Sequence, residues 1–241
     1  MKQFPVRRRY WARSMVGYPK LSSTRPNDTH KLLGKLHSMG VLSHIITQNV
    51  DRHHQSAAPQ LPVLELHGTV HTVSCYEPTP SGASSCQWHA PRGTVQELLL
   101  AENEQWLQEW GVTRDELARP DGDVVLPEEA YASFRVPNCP SCGSDMLKPD
   151  VIFHGGNIPK PVTQRASDIV QGASALLVLG TTLTTWSSFR LARQASAAGI
   201  PIAIVNFGAT RADSLTPPPL KMETATSGVL HAAVGDLLKR V

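Results

Sequence analysis

Between Thr29 and Met39 the apolar residues Leu32, Leu33, Leu36 and Met39 recur at helical spacing. That pattern predicts one amphipathic helix, with Asn27 or Asp28 as N-cap and Gly40 as its stop. The run from Val41 to Thr47 carries the β-branched Ile45, Ile46 and Thr47, then breaks off into Gln48-Asn49-Val50-Asp51. A buried parallel strand that hands polar groups to its C-terminal edge has this form. A second short strand is expected from Val63 to Leu66, stopping at His67 and Gly68. Further along, Ala175–Leu179 reads as a strand, Thr185–Ala198 as a helix closed by Gly199, and Ile202–Val205 as another strand. Val229–Val241 reads as a closing helix, and Thr216–Pro219, with its consecutive prolines, as a surface loop. Strand, helix, strand in such short units predicts an α/β fold: a Rossmann-like parallel sheet with right-handed crossovers and helices on both faces.

Between Thr69 and about Asp145 the pattern changes. Pro, Gly and Ser become frequent, a single helix is expected from Val95 to Trp110, and all four cysteines fall here. This predicts a small inserted module over residues 71–144, set into a Rossmann-like part formed by 26–70 and 145–241. Cys139 and Cys142 stand two residues apart in Asn-Cys-Pro-Ser-Cys-Gly. The glycine permits the tight turn that aims both sulfurs at one cation, a zinc-knuckle signature. Cys75 and Cys86 are the other available thiols, but the ten residues between them include Pro78, Pro80 and Gly82. A closed tetrahedral site needs four ligands, so the expectation is structural zinc on Cys75, Cys86, Cys139 and Cys142, as against unpaired buried thiols. His71 and His89 are nearby substitutes; as loop histidines their ordinary fate is solvation.

Composition narrows the function classes. With 241 residues, 41% of them hydrophobic, the chain can bury a core of its own. The formal charge of +3 is too small and dispersed to predict a specific nucleic-acid partner. No apolar run approaches the roughly 20 residues of a membrane-spanning helix. Four cysteines are too few for a disulfide scaffold of this length and favour an intracellular protein with a metal site. The stretch Met1–Val16, rich in Arg and free of acids, resembles a mitochondrial transit peptide in composition. Its scarce Ser and its early Pro5, expected to interrupt any amphipathic helix, favour a basic segment of the folded domain instead.

Two polar strand ends, Thr47-Gln48-Asn49-Val50-Asp51 and Glu65-Leu66-His67-Gly68, imply one cleft at the carboxyl edge of the sheet. A lone histidine after a strand is more often structural than catalytic. The ordered combination changes that reading. Thr-Gln-Asn-Val-Asp, Glu-Leu-His-Gly, a paired-cysteine insert, Lys-Pro-Asp-Val-Ile-Phe, Leu-Gly-Thr-Thr-Leu and Ile-Val-Asn together closely resemble the sirtuin family, from about Val6 to the C-terminus. Arg9-Tyr10-Trp11-Ala12-Arg13 and Pro120-Asp121-Gly122-Asp123-Val124 resemble its class II branch, which includes a mitochondrial member.

The resemblance implies an NAD-dependent protein-lysine deacylase that passes the acyl group to ADP-ribose and releases nicotinamide, with NAD consumed as co-substrate and zinc structural. It makes His67 the general base. Gln48, Asn49, Val50 and Asp51 would line the nicotinamide and ribose pocket, and Gly180, Thr181 and Thr182 the dinucleotide turn. Asn206, Phe207 and Gly208 would meet the adenosine ribose, Ser227 would lie near the adenine, and Val151, Ile152 and Phe153 would pair with the acylated peptide as an added strand. A mitochondrial matrix location follows by resemblance, with cytoplasm or nucleus as alternatives. Mono-ADP-ribosyl transfer from the same pocket and a non-catalytic scaffold are the rival functions. The family's Gly-Ala-Gly-x-Ser loop and Pro-Asp-Phe-Arg lid are not found in these 241 residues. Without that strand and loop, the neighbouring strands are expected to carry unpaired amides and an apolar edge. His154 and Gly156 stand where the family has an aromatic and an acid.

Overall fold

The computed structural model describes residues 1, 3–77, 86–110, 124–153 and 155–239. Pro78, Pro80, Gly82, residues 120–123 and His154 lie outside them. In chain order the elements are α1 (Phe4–Ser23), α2 (Asp28–Ser38), β1 (Ile45–Thr47), α3 (His53–Ala57), β2 (Val63–Glu65), β3 (Gly68–Cys75) and β4 (His89–Pro91). There follow α4 (Arg92–Glu102), α5 (Glu104–Trp110), α6 (Glu128–Ser133), β5 (Leu147–Val151), α7 (Lys160–Gln171), β6 (Leu176–Leu179) and α8 (Trp186–Ala197). The last are β7 (Ile202–Val205), a 3₁₀ turn (Arg211–Ser214), β8 (Leu220–Met222) and α9 (Thr226–Leu238). The chain divides into two compact units: Met1–Arg25 with Gly68–Val151, and Pro26–His67 with Ile152–Val241.

The first unit is built on an antiparallel sheet of order β4-β3-β5. Its apolar face and α1 enclose Trp11, Met15, Val73, Val95, Leu99, Trp106 and Leu147. The basic opening stretch is therefore core structure: Trp11 is fully buried and its indole N–H donates to the Leu147 carbonyl at 3.1 Å. Pro5 does not interrupt a helix as expected. It sits in the first turn of α1, where the missing N–H has no helical partner to lose. The arginines of that segment point to carbonyls and acids, with Arg13 bonding Val124 O and Arg7 pairing with Asp145. The single helix expected over Val95–Trp110 is in fact two. Asn103 breaks it because its side chain accepts from Arg135 N and donates to the Leu99 and Arg135 carbonyls, a set no surface residue would hold.

The second unit carries two parallel sheets, β1-β2 and β6-β7-β8. Helices α7 and α8 cover one apolar cluster, in which Val178 and Ile204 are central and to which Ile46, Leu64 and Leu176 contribute. Helices α2 and α9 cover another, against which Ile45 of β1 and Leu179 of β6 both pack. The two sheets thus rest on common cores without a ladder between them among the described residues, and Leu177 on β6 remains 40% exposed. The expected helix at 29–39 is α2, and its N-cap is Asn27, whose side chain accepts from His30 N. The strand expected from Val41 is shorter: only Ile45–Thr47 pairs, while Val41 and Leu42 bond back to Leu36 O at the helix end.

Candidate functional site

The four sulfurs converge. Cys75 Sγ lies 3.6 Å from Cys142 Sγ and Cys86 Sγ lies 3.8 Å from Cys139 Sγ. All four fall within 4.8 Å of one another. A tetrahedral Zn–S₄ site with ~2.3 Å bonds requires sulfurs about 3.8 Å apart, so these thiols fit that cation. The knuckle is set by backbone geometry: Gly143 N donates to Cys139 O at 2.8 Å, and Cys139 N to Ser144 O at 2.7 Å. Accepting the Trp88 backbone N–H draws the Cys86 thiol down to about 7, whereas burial pushes Cys75 up. Zinc would convert all four to thiolates, and a site closed by four sulfurs leaves no position for a reacting water. The histidine substitutes are not needed. His71 stacks edge-on against Tyr18, and His89 faces Asp150 at 3.8 Å.

In the second unit the loop after β1 and the turn after β6 are tied together. Gln48 donates from Nε2 to Thr181 Oγ1 at 3.2 Å, and Thr185 Oγ1 donates to Gln48 Oε1 at 2.9 Å. Both ends of the Gln48 amide are thereby fixed. His67, just beyond β2, places Nε2 3.2 Å from Ser187 Oγ at the start of α8, and its carbonyl accepts from Ile152 N at 2.9 Å. Thr185 and Ser187, which orient these two groups, were not singled out from the sequence. Their contacts join positions more than a hundred residues apart, and no local pattern encodes them.

Backbone geometry marks the same two loops. Among the described residues the non-glycine residues with positive φ are Arg52 (φ 59) and Leu183 (φ 54), one in each loop. A left-handed L-residue costs about 1–2 kcal/mol, and such residues cluster at functional sites. Arg52 is held by an ion pair to Glu65 at 3.4 Å. Leu183 is held by burial and by donation from its N–H to Thr181 Oγ1 at 3.1 Å. Gly180 turns with φ +59, and nothing lies within 4 Å of where a side chain would begin. A phosphate-bearing ligand could approach that backbone closely, and the open turn fits the dinucleotide role that the resemblance implies.

The remaining expected residues are distributed around these loops. Asn49 N donates to Thr47 Oγ1, and Asp51 accepts from His53 N at the start of α3. Val50 lies between them, half-buried. Thr182 bonds Thr184 through its hydroxyl, and its carbonyl accepts from Arg211 N. Beyond β7, Asn206 is buried, Phe207 is 70% exposed, and Gly208 turns with φ +73. Ser227 is the second residue of α9 and half-buried. Val151 closes β5 of the first unit, paired with Gly68, while Ile152 and Phe153 follow it in the second. Gly68 tolerates no side chain: with φ +73, a Cβ would sit 1.9 Å from Asp150 O. Gly68→Ala is expected to lower Tm by about 4–8 °C, on the order of 2 kcal/mol, in a thermal melt.

Behind Asp51, His30 meets His53 and His54 with ring centroids 5.5 and 4.6 Å away. Burial, then the neighbouring His30, lowers His54 to about 4 against the opposing pull of Asp51, and burial lowers His30 as well. A histidine depressed in the folded state contributes stability above its unfolded value near 6.5, and that stability is lost as pH falls toward 4. Tm is therefore expected to fall between pH 7 and pH 5, and His54→Gln should flatten that slope in melts across the range.

Fold and site together define an α/β protein with a four-cysteine cluster that fits zinc and with polar groups gathered at its strand ends. Residues 1–187 match the family model described as the Sir2 family. The chain is 43% identical over 229 residues to the NAD-dependent protein deacylase SIR4 of Monosiga brevicollis, covering 95% of this chain and 71% of that protein. It is 42% identical over 230 residues to an NAD-dependent protein deacetylase of Xanthomonas campestris, covering 95% and 73%. Among solved structures it resembles Sir2 bound to an acetylated peptide (TM-score 0.66, 25% identity, 91% of this chain and 73% of that one). It also resembles Sir2 with the inhibitor EX-527, 2'-O-acetyl-ADP-ribose and a deacetylated p53 peptide (TM-score 0.67, 26% identity, 91% and 74%). The chain belongs to the Sir2 family.

Proposed function

We propose that this chain carries an NAD-dependent protein-lysine deacylase domain, with His67 as general base and the four cysteines holding a structural zinc. The observation that carries the reading is the pairing of His67 Nε2 with Ser187 Oγ beside the Gln48 bridge to Thr181 and Thr185. NAD, when bound, supplies the ribose carbon that accepts the acyl oxygen as nicotinamide leaves. Gln48, clamped at both ends of its amide, presents a fixed dipole at the end of β1. His67 has a hydroxyl partner already at hydrogen-bond distance and can take a proton at Nε2 from a ligand hydroxyl in that place. Thr181, Thr182 and the Gly180 backbone form the turn for the dinucleotide, and Val151–Phe153 supply backbone for an acylated peptide.

The test is incubation with NAD and acyl-lysine peptides, for this chain and for an N-terminally extended version, with products read by mass spectrometry. O-acyl-ADP-ribose and free lysine are expected in equal amounts. Their absence from both preparations overturns the reading, and labelled ADP-ribose on a protein acceptor without deacylation would reassign the pocket to transfer. The resemblance to the class II branch supports a mitochondrial matrix location, with cytoplasm or nucleus as alternatives, tested by fractionation of cells expressing the protein. Cleavage within Met1–Val16 is not expected to accompany import, because it would remove the buried Trp11 and Met15.

A further inference from the structure

Helices α7 and α8 leave between them a cavity of about 590 Å³ that the proposed reaction does not use. Trp186, Arg190, Arg193 and Ala197 follow one another at intervals of four, three and four, so one face of α8 lines it, with Gln164 and Gln194 beside them. Arg193 stacks 4.7 Å from the Trp186 ring centroid. Arg211 adds a third guanidinium, 5.5 Å from that ring and 4.3 Å from Phe189. Among the described residues none of the three arginines is in an ion pair. Arg190 bonds Thr163 O through one terminal nitrogen, while its Nε is shielded from solvent with no hydrogen-bond partner. Asp168 accepts from Gln164 of the lining at 2.8 Å. Arg193 and Arg211 against a half-exposed indole, with Arg190 on the same lined face as Arg193, form a site for anionic groups with an apolar or aromatic companion.

Shape selects the kind of ligand. From Trp186 to Ala197 the lined face runs ~16 Å at 1.5 Å per residue. That is the length of about five extended residues at ~3.3 Å each, and far longer than a compact ion. We propose that this trough binds an extended acidic segment of a protein, its carboxylates on Arg190 and Arg193 and an aromatic or apolar side chain on Trp186. The trough begins one residue from Ser187, the partner of His67, so a bound segment enters beside the candidate base. The proposal does not depend on deacylation.

Fluorescence anisotropy with a labelled decapeptide of four glutamates around one tyrosine, run without NAD, tests it against the same peptide carrying glutamines. The glutamate peptide is expected to bind at least about ten-fold tighter, with affinity falling as salt rises. Arg193→Glu, at an exposed position, is expected to abolish the difference with Tm unchanged, and Trp186→Ala to weaken binding several-fold. Equal affinity of the two peptides, or unchanged binding by Arg193→Glu, overturns the proposal. Displacement of the peptide by inorganic phosphate at concentrations no higher than the peptide's own Kd would also overturn it, in favour of a small-anion site.

Discussion

Replacement of His67 by alanine is expected to lower kcat/KM for NAD-dependent deacylation by about 10²- to 10⁴-fold, the range over which a positioned general base contributes. The imidazole sits at the end of a three-residue strand, held through its backbone by Ile152 N and through its ring by Ser187. Neither contact is part of a packed core, so removing the ring should leave Tm within a few degrees of the parent. Gln48→Ala should act differently, because the Gln48 amide is clamped by Thr181 and Thr185 and contributes a dipole rather than a proton. Its expected effect is a raised KM for NAD with a smaller change in kcat. Steady-state kinetics with varied NAD separates the two roles. A His67→Ala enzyme that retains parental kcat/KM would remove the histidine from the chemistry.

Removal of the metal is expected to unfold the first unit. Structural zinc in small modules contributes about 10–16 kcal/mol of apparent binding energy, which equals or exceeds the ~5–15 kcal/mol total stability of a typical domain. Cys139→Ser leaves three thiols, and exhaustive chelation four, within 4.8 Å of one another with no cation to hold them. Four of the five tryptophans, Trp11, Trp88, Trp106 and Trp110, belong to that unit. Loss of near-UV circular dichroism and a red shift of tryptophan emission, with zinc released in a 1:1 ratio, are the expected readouts. An unaltered spectrum after verified metal removal would show that the apolar cluster around Trp11 and Val73 holds the unit without it.

What the chain's pattern disclosed depended on range. Short parallel strands set among helices announce themselves as apolar runs, and β1, β2, β6 and β7 were legible for that reason. The antiparallel β3 and β5 were not. Their alternation is broken by polar residues such as Thr72 and Asp150, whose hydrogen bond to each other explains their presence only once the strands are paired. Helix α1 was obscured by its arginines, whose charges are answered by acids and carbonyls more than a hundred positions away. Cys139 and Cys142 were readable as a pair because two-residue spacing is local. Cys75 and Cys86 joined them only through the sheet β4-β3-β5, which brings remote segments together. At the strand ends, His67 and Gln48 came into view through motif order, whereas Thr185 and Ser187 had no signal of their own. The left-handed Arg52 and Leu183 were likewise invisible, since neither residue type advertises positive φ.

The most direct measurement is an NMR titration of the protein with NAD, following the His67 ring proton together with the side-chain amide of Gln48 and the backbone amide of Thr181. All three resonances are expected to move along one saturation curve with a common Kd, because a dinucleotide seated at these loops touches each group. Saturating NAD that shifts other residues while leaving His67 and Thr181 unmoved would contradict a shared pocket.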